Sequence, residues 1–408
     1  MQVAQRRAVS PWAIVGFLWI AYFINYVDRQ LVFSQFPVLT RELGFTTGQL
    51  GLIGTTFLWA YSLTSPLAGR LADRLRLEWM VPGSLVLWSL ATLGTGLSHS
   101  VSQLLLCRTI VGVTEGLYFP AAVAVIGSLH STATRSRAIA IHGSAQFAGI
   151  VGGGWFGGWS AEQWTWRTGF VLLCILGLAY APLLRWGLGR LPAREEKGAT
   201  PHNWKEVFTP PQFHALCLAF FVLCAMLWML YAWLPSLVHE RFGLGLAESG
   251  LLATVFLQAS SVAGILSGGA AGDWCAGRLA AGRFLVVAAG LAACAPFALL
   301  SVVTSSLVTF KIAAVGFGLF SGLMMSNVVA SAYDVTHPRN YGLAAGVLTL
   351  LGGLSGGVAT LTVGHWKETV GMEAIMGWTA LAAFVAAAAL LAAVVAGKRG
   401  RGGSEAVC

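Results

Sequence analysis

Residues 44–73 read GFTTGQLGLIGTTFLWAYSLTSPLAGRLAD, a mainly apolar stretch that ends in a charged loop. Part of its spacing returns in the second half of the chain, at an offset of 199 residues for three positions and 200 for two. The matching pairs are Gly44 and Gly243, Gly51 and Gly250, Phe57 and Phe256, Gly69 and Gly269, and Asp73 and Asp273. Because a period of half the chain length indicates a duplicated unit, the sequence predicts two halves of similar fold.

The composition around this stretch is typical of a membrane protein. Hydrophobic residues fill 56% of the 408 positions and charged residues only 10%, whereas a soluble chain carries about 25% charged residues. Apolar runs of roughly 20 residues, long enough to span a membrane, begin near residues 11, 48, 79, 102, 137, 168, 212, 248, 283, 307, 341 and 373. Lipid cannot satisfy backbone polar groups, so these runs are helices. The predicted fold is an all-α membrane protein with twelve transmembrane helices in two pseudo-symmetric six-helix bundles.

The placement of charge predicts the orientation. Of the 25 Lys and Arg residues, 18 fall on the alternate loops that include both termini, and five fall on the other loops. Because positively charged loops stay in the cytoplasm, we expect a multi-pass inner-membrane protein with both termini cytoplasmic. Topology thus explains the net charge of +9, and no nucleic-acid partner is expected. The predicted domains are a first bundle over 1–187, a cytoplasmic linker over 188–211, a second bundle over 212–397 and a cytoplasmic tail over 398–408.

Four charged residues lie inside predicted spans: Asp28 and Arg29 in the first, and Arg108 and Glu115 in the fourth. An unpaired charge at a helix centre costs about 2.5–3.5 kcal/mol, so such residues pair or face a cavity. Arg108 and Glu115 share one helix face about 10 Å apart, whereas Asp28 and Arg29 point about 100° apart. Charges in this position indicate function. Two ion pairs that only lock the first helix to the fourth remain an alternative, and Arg108 could extend towards the membrane surface.

The chemistry of these four residues predicts a cargo. A carboxyl group in a low-dielectric cavity is stabilised in its neutral form and can carry a proton. Arginine stays charged and presents a planar fork that matches a carboxylate. Two arginines beside two protonatable acids therefore predict an organic anion that moves together with protons. The sequence holds no phosphate-binding loop and no metal-ligand pattern, so we expect no enzyme, no metal site and no cofactor, with the proton as coupling ion.

The segment Gly69-Arg70-Leu71-Ala72-Asp73-Arg74-Leu75-Arg76 resembles the loop between helices 2 and 3 of the major facilitator superfamily, whose pattern is G-x-x-x-D-R-x-G-R. Leu75 stands where that pattern has Gly. The resemblance implies a gating motif that holds one state of the transport cycle. Its residues are Gly69, Asp73, Arg74 and Arg76, with a degenerate copy at Asp273.

Other segments resemble the anion:cation symporter family of this superfamily, which includes bacterial proton-coupled sugar-acid transporters. They are Asn25 to Arg29, Trp59 to Tyr61, Arg108, Glu115 to Ala121, Ser144 to Gln146, and Tyr231 to Pro235. The resemblance implies that Asp28 and Glu115 carry protons. It also implies substrate contacts from Arg29, Arg108, Tyr26, Tyr61, Gln146 and Asn327. Two aromatic residues of the seventh span, Trp228 and Tyr231, are further candidates for the cavity wall.

The predicted function is therefore proton-coupled symport of a small organic anion, a sugar acid or a related carboxylate, by alternating access. The expected partners are the anion, protons and membrane lipid, and the expected working unit is a monomer. An Asp-Arg pair in helix 1 and an Arg followed seven residues later by Glu in helix 4 also resemble spinster-type lysolipid transporters, so transport of an amphiphile is an alternative. A membrane sensor or enzyme on a transporter scaffold is a third hypothesis, although no catalytic constellation supports it.

Overall fold

The computed structural model describes residues 10–189, 191, 204–279 and 281–404, without the side chains of Asp73, Thr132, Ala133, Trp204 and residues 397–404. The first half of the chain contains eight helices. They are α1 (Pro11–Ser34), α2 (Phe36–Leu43), α3 (Thr47–Arg74), α4 (Leu77–Gly96), α5 (Val101–Gly116), α6 (Tyr118–Leu129), α7 (Thr132–Gln163) and α8 (Trp166–Leu188).

A short helix, α9 (Trp204–Phe208), precedes the second half. The helices that follow are α10 (Pro211–Phe242), α11 (Leu246–Ala276), α12 (Gly282–Val303), α13 (Leu307–Val335), α14 (Tyr341–Val370) and α15 (Met372–Ser404), with a 3-10 turn at Pro338–Asn340 before α14. Helix α15 continues past residue 397, where the second bundle was predicted to end. The predicted domain boundaries otherwise stay a prediction.

The all-α membrane fold is confirmed. Within the described residues, α5 and α6 form one spanning unit, and counting them together gives twelve long helical segments. Each begins within five residues of its predicted start. Eight of the twelve are long and apolar enough to cross a membrane by length and composition alone. The other four, α1, α3, α4 and α7, carry more polar residues and pack within the same bundle.

The fourth span is interrupted where α5 gives way to α6. Gly116 ends α5, Leu117 lies between the helices, and α6 begins at Tyr118. Pro120 follows within the first turn of α6. A proline inside a helix donates no backbone hydrogen bond, and its ring crowds the carbonyl four residues earlier. That carbonyl belongs to Gly116, so the break occurs where the sequence requires it and places Glu115 beside it.

The repeat found in the sequence is also a structural repeat. Gly44 and Gly243 both adopt left-handed backbone angles, with φ of 66° and 65°, and each ends a helix immediately before the next one starts. Helix contacts follow the same rule. In the first half α3 packs on α5 and α4 on α8, and in the second half α11 packs on α13 and α12 on α15. The two halves are therefore pseudo-symmetric bundles.

The halves meet at one end of the molecule, which we call the closed end. There α3 packs on α14, and α11 packs on α7. The repeated glycines mark both contacts, because Gly51 lies against Gly364 and Gly250 lies against Gly154. A side chain at either position would overlap the backbone of the opposite half. Small residues thus allow the close approach of helices on which this seal depends.

Two carboxylates fasten the closed end. Glu162, near the end of α7, accepts hydrogen bonds from the backbone N–H groups of Leu246 and Ala247 at the start of α11. Glu368, near the end of α14, accepts a hydrogen bond from the hydroxyl of Thr47 at the start of α3. Each acid thus lies at the N-terminus of a helix from the other half, where the helix dipole favours negative charge.

The halves separate towards the opposite end, which we call the open end. Close approach between α3 and α14 extends from Thr47 and Glu368 to Ser62 and Gly353. In the part of the chain that the structure describes, no hydrogen bond joins these two helices beyond that point. A Cβ atom on Gly69 would meet nothing within 4 Å. Among the described residues, the space between the halves is therefore closed at one end and open at the other.

Candidate functional site

Two ion pairs join α1 to α5 inside the first bundle. Nη1 of Arg108 lies 3.1 Å from Oδ1 of Asp28, and both side chains are only 1% exposed. The hydroxyl of Thr92 on α4 donates a hydrogen bond to the other oxygen of Asp28. Arg108 is therefore buried and paired, and the alternative that it extends to the membrane surface is wrong.

The second pair connects Arg29 to Glu115. Nε of Arg29 donates to Oε2 of Glu115 at 2.7 Å, and the Glu115 side chain is completely buried. The second oxygen of Glu115, Oε1, is enclosed and has no hydrogen-bond partner among the described residues. Since Asp28 and Arg29 are neighbours on α1, one turn of this helix supplies one member of each pair. The ion pairs that the sequence allowed as an alternative do exist.

The rings of Tyr26, Phe57 and Tyr61 form an aromatic cage around the guanidinium group of Arg29. The guanidinium carbon lies 4.5 Å from the ring centre of Tyr26, 5.1 Å from that of Phe57 and 4.3 Å from that of Tyr61. Cations are attracted to ring faces, and more strongly where water is excluded. The cage therefore fixes the group in place without using its hydrogen-bond donors.

The outer edge of Arg29 remains free. Only Nε forms a hydrogen bond among the described residues. The two terminal nitrogens, Nη1 and Nη2, form no such bond and are not completely enclosed. Each therefore keeps some accessible surface, although the Arg29 side chain as a whole is only 5% exposed. A planar edge with two free N–H donors is the geometry that binds a carboxylate or another oxyanion in a bidentate manner.

Glycines in α7 hold α1 in position. Gly149, Gly153 and Gly157 lie one turn apart, and each faces a backbone carbonyl of α1, at Phe23, Val27 and Leu31 respectively. The run of small residues in α7 thus lets the charged turn of α1 lie directly against another helix. On the side of α1 towards the open end, Tyr22 meets Tyr26 edge-on at 5.0 Å and stacks on His142 at 4.6 Å. This stack therefore packs against the cage on the side of the open end.

The second half contributes aromatic residues from α10. Trp228 packs against the cluster of Phe57, Leu58 and Val111, so it lies next to the cage. Tyr231 meets Trp228 edge-on at 5.7 Å. The amide nitrogen of Gln30 donates to the backbone carbonyl of Tyr231 at 2.9 Å, which ties α1 to α10. The structure thus brings Trp228 and Tyr231 close to the predicted residues of the first half.

Gln146 and Asn327 differ in placement from that group. Gln146 on α7 is half-buried and forms no hydrogen bond within the described residues, so its amide remains available. Asn327 is 2% exposed, and its amide nitrogen donates to the carbonyl of Gly268 on α11 at 2.8 Å. In this conformation Asn327 joins α13 to α11. Its substrate contact stays a prediction.

The residues of the predicted gating motif lie at the open end. Gly69 and Arg74 belong to the last turns of α3, and Arg76 binds Glu78 at 2.6 Å. The side chain of Asp73 lies outside the described part of the structure. Asp273 binds Arg283 at 2.9 Å, and Arg283 also binds Asp334. Leu75 is extended, with φ of −94°, so this turn needs no glycine at the position where the pattern has one.

Two members of the cluster were not predicted as site residues. Phe57 appeared only as a position of the repeat, and its contact with both arginines depends on the packing of α3 between α1 and α5. Thr92 gave no signal, because a threonine in an apolar span is ordinary. The role of Thr92 follows from the structure, in which its hydroxyl donates a hydrogen bond to Asp28.

The family is decided by comparison with known proteins. The profile of the Major Facilitator Superfamily matches residues 18–360. This chain belongs to the Major Facilitator Superfamily. Its members are transporters, which confirms the prediction of a transport protein rather than an enzyme.

Superfamily members of similar length resemble the chain almost end to end. A protein named Probable sulfoacetate transporter SauU from Cupriavidus necator is 27% identical, with 90% of each chain covered. The D-galactonate transporter of Escherichia coli is 24% identical, over 91% of this chain and 92% of that protein. The hexuronate transporter of Bacillus subtilis is 25% identical over 88% of each.

Among solved structures of the superfamily, a bacterial homologue of the human lysosomal transporter Spinster, in an inward-facing and occupied conformation, has the same fold. The TM-score is 0.79, with 93% of this chain and 96% of that chain covered. The sequence identity is 20%, so this likeness concerns the fold alone.

Proposed function

We propose that this chain carries a small organic anion, a sugar acid or a related carboxylate or sulfonate, across the inner membrane together with protons by alternating access. The observation that carries the proposal is the free edge of Arg29. Its guanidinium group is held by three aromatic rings and by Glu115 through Nε. Nη1 and Nη2 form no hydrogen bond among the described residues, and we infer that they face the space between the halves. An oxyanion that enters this space meets two preorganised donors.

The ion pair with Glu115 links the anion to a proton. While Glu115 is ionised, it shares the charge of Arg29 and opposes the approach of a second anion. Once Glu115 takes up a proton, its hold on Arg29 weakens and the full charge is available to the substrate. By thermodynamic linkage, substrate binding must then favour the protonated form of Glu115 to the same extent.

Asp28 supplies a second protonation site that is separate from the substrate. Its carboxylate is bound to Arg108 and Thr92, and neither residue belongs to the aromatic cage. Two protons that accompany a monovalent anion would move one net positive charge inward. At about 150 mV this charge contributes about 3.5 kcal/mol to accumulation.

The relatives and the charge distribution support the cargo and the orientation. Sulfoacetate, galactonate and hexuronate, named for three relatives, are small organic anions. The excess of Lys and Arg on alternate loops supports a cytoplasmic location for both termini, and with them for the open end. We further propose that the protein works as a monomer and requires no cofactor beyond the coupling proton.

The test is a current recording from the purified protein in proteoliposomes, with a panel of sugar acids, sulfonates and dicarboxylates. We expect one class of acid to evoke an inward positive current that an inward proton gradient increases. Asp28→Asn and Glu115→Gln should each abolish proton-driven accumulation although the protein still inserts.

Full accumulation in both variants would contradict proton coupling. Failure of every acid to produce current or counterflow, combined with movement of a fluorescent lysolipid, would replace the proposal with the amphiphile alternative.

A further inference from the structure

A groove on the outer surface of the first bundle lies between α4 and α8. Its volume is about 570 Å³, and the residues that shape it are Trp79, Pro82, Gly83, Val86, Pro182 and Arg185. A Cβ atom on Gly83 would meet nothing within 4 Å, so the groove exists partly because this residue has no side chain. Leu87, which also lines the groove, is 50% exposed on the same surface. In a membrane, a groove in this position opens towards lipid.

The only charged group in the lining is Arg185, in the last turn of α8. Its guanidinium carbon lies 4.2 Å from the ring centre of Trp79, and Nη1 donates to the carbonyl of Gly189 at 2.8 Å. Nε is enclosed and has no hydrogen-bond partner among the described residues. Nη2 forms no hydrogen bond among the described residues and is not enclosed, so it is the donor that remains available. Its N–H groups match the oxygens of a phosphate group.

Position and chemistry together define a ligand. Arg185 lies at the end of a span, at the depth of lipid headgroups, and the apolar part of the groove extends two turns, about 10 Å, towards Leu178. We propose that this groove binds an anionic phospholipid, with its phosphate on Arg185 and an acyl chain along Gly83. The site lies apart from the residues proposed to carry the anion and does not depend on that function.

Charge explains why the lipid should be anionic. Among the described residues, no carboxylate lines the groove. The acidic residue of the same turn of α4, Glu78, is already bound by Arg76 at 2.6 Å. A zwitterionic lipid would bring an ammonium group towards Arg185 without a partner for it. An anionic lipid such as phosphatidylglycerol brings no such group.

The experiment is native mass spectrometry of the full chain with phosphatidylglycerol or phosphatidylcholine of the same acyl chains. We expect one phosphatidylglycerol to bind at least ten-fold more tightly than phosphatidylcholine. Arg185→Gln should remove this preference. Gly83→Leu, which fills the groove and leaves Arg185 in place, should weaken both lipids. The matched control is Arg278→Gln, because Arg278 stacks on Trp274 at 4.1 Å in the same way but lies outside the groove.

Three results would overturn the proposal. Equal affinity for the two lipids would remove the role of charge. Unchanged binding in both Arg185→Gln and Gly83→Leu would place the lipid elsewhere. Displacement of the lipid by glycerol phosphate at equal concentration would mean that the site recognises a soluble phosphate and that the acyl chain contributes nothing.

Discussion

At the scale of single residues, Arg29 is the centre of the proposed site because it binds an acid and still has hydrogen-bond donors to offer. Its Nε binds the acid Glu115, and its terminal nitrogens form no hydrogen bond among the described residues. Lysine has one compact ammonium group, so it cannot bind an acid through one nitrogen and present a planar pair of donors to an oxyanion through two others. The planarity of the guanidinium group is therefore as important here as its charge.

We expect Arg29→Lys to retain insertion into the membrane but to weaken anion binding at least ten-fold, because the bidentate edge and the stacking on Tyr26 and Tyr61 are lost together. Arg29→Ala should abolish binding. Isothermal titration with the acid identified in the current recordings measures both effects. The control is Arg283→Lys, a substitution in the second half outside the site. Unchanged affinity in Arg29→Lys would remove the clamp role.

The pair of Asp28 and Arg108 makes a separate prediction about stability. Removal of one member of a buried pair leaves an uncompensated charge and costs about 3–5 kcal/mol. Asp28→Asn and Arg108→Gln should each lower the thermal midpoint in detergent. The double variant should lose less than the sum of the two, since both charges leave together. Strict additivity would show that the two side chains do not interact.

At the scale of helices, neighbouring glycines in α7 face different partners. Gly153 faces Val27 on α1, within the first bundle, whereas Gly154 faces Gly250 on α11, across the closed end. The sequence shows a run of glycines here, and small residues in spans allow close helix packing. It could not assign the partners, because one residue changes the direction on a helix by about 100° and only the packed structure fixes which helix lies there.

We expect Gly154→Val to prevent the closed end from sealing, because its side chain would overlap the backbone of Gly250. Spin labels on two exposed closed-end residues, Arg41 and Val370, should then report a longer distance in the variant. Gly16→Val is the matched control, since a Cβ at this exposed position meets nothing within 4 Å. An unchanged distance in Gly154→Val would mean that these glycines do not limit closure.

The helices themselves were predictable, but their contacts were not. Apolar runs located the twelve spans, since hydrophobic length is a local property of the sequence. The pairing of Asp28 with Arg108, and of Arg29 with Glu115, depends on how α1 and α5 cross. Asn327 shows the same limit: the resemblance implied a substrate contact, and the sequence could not show that its amide also binds the carbonyl of Gly268.

At the scale of the whole molecule, the closed end is fastened twice in equivalent ways. Glu162 binds the start of α11, and Glu368 binds the start of α3. A negative charge at a helix N-terminus contributes about 0.3–1 kcal/mol at an exposed position and up to about 2 kcal/mol when partly buried. The two contacts together can therefore change the ratio of molecules with a sealed closed end to molecules with a separated one about ten-fold.

We expect Glu162→Gln and Glu368→Gln each to increase the fraction of molecules in which the two halves have separated at the closed end. The double variant should show the sum of the two free-energy changes. The same pair of spin labels on Arg41 and Val370 measures the fractions. Glu248→Gln is the control, because Glu248 is an exposed acid in the first turn of α11. A response in Glu248→Gln as large as in Glu162→Gln would indicate general surface charge instead.

Asp28 and Arg29 are joined by one peptide bond, and this adjacency has a mechanical consequence. A rigid rotation of α1 that draws Arg29 away from Glu115 must also displace Asp28 relative to Arg108. The two ion pairs therefore open together, and neither can be broken by such a rotation alone while α1 stays helical. A substitution in the cavity wall that leaves all four charged residues in place would therefore still leave the two ion pairs to move together.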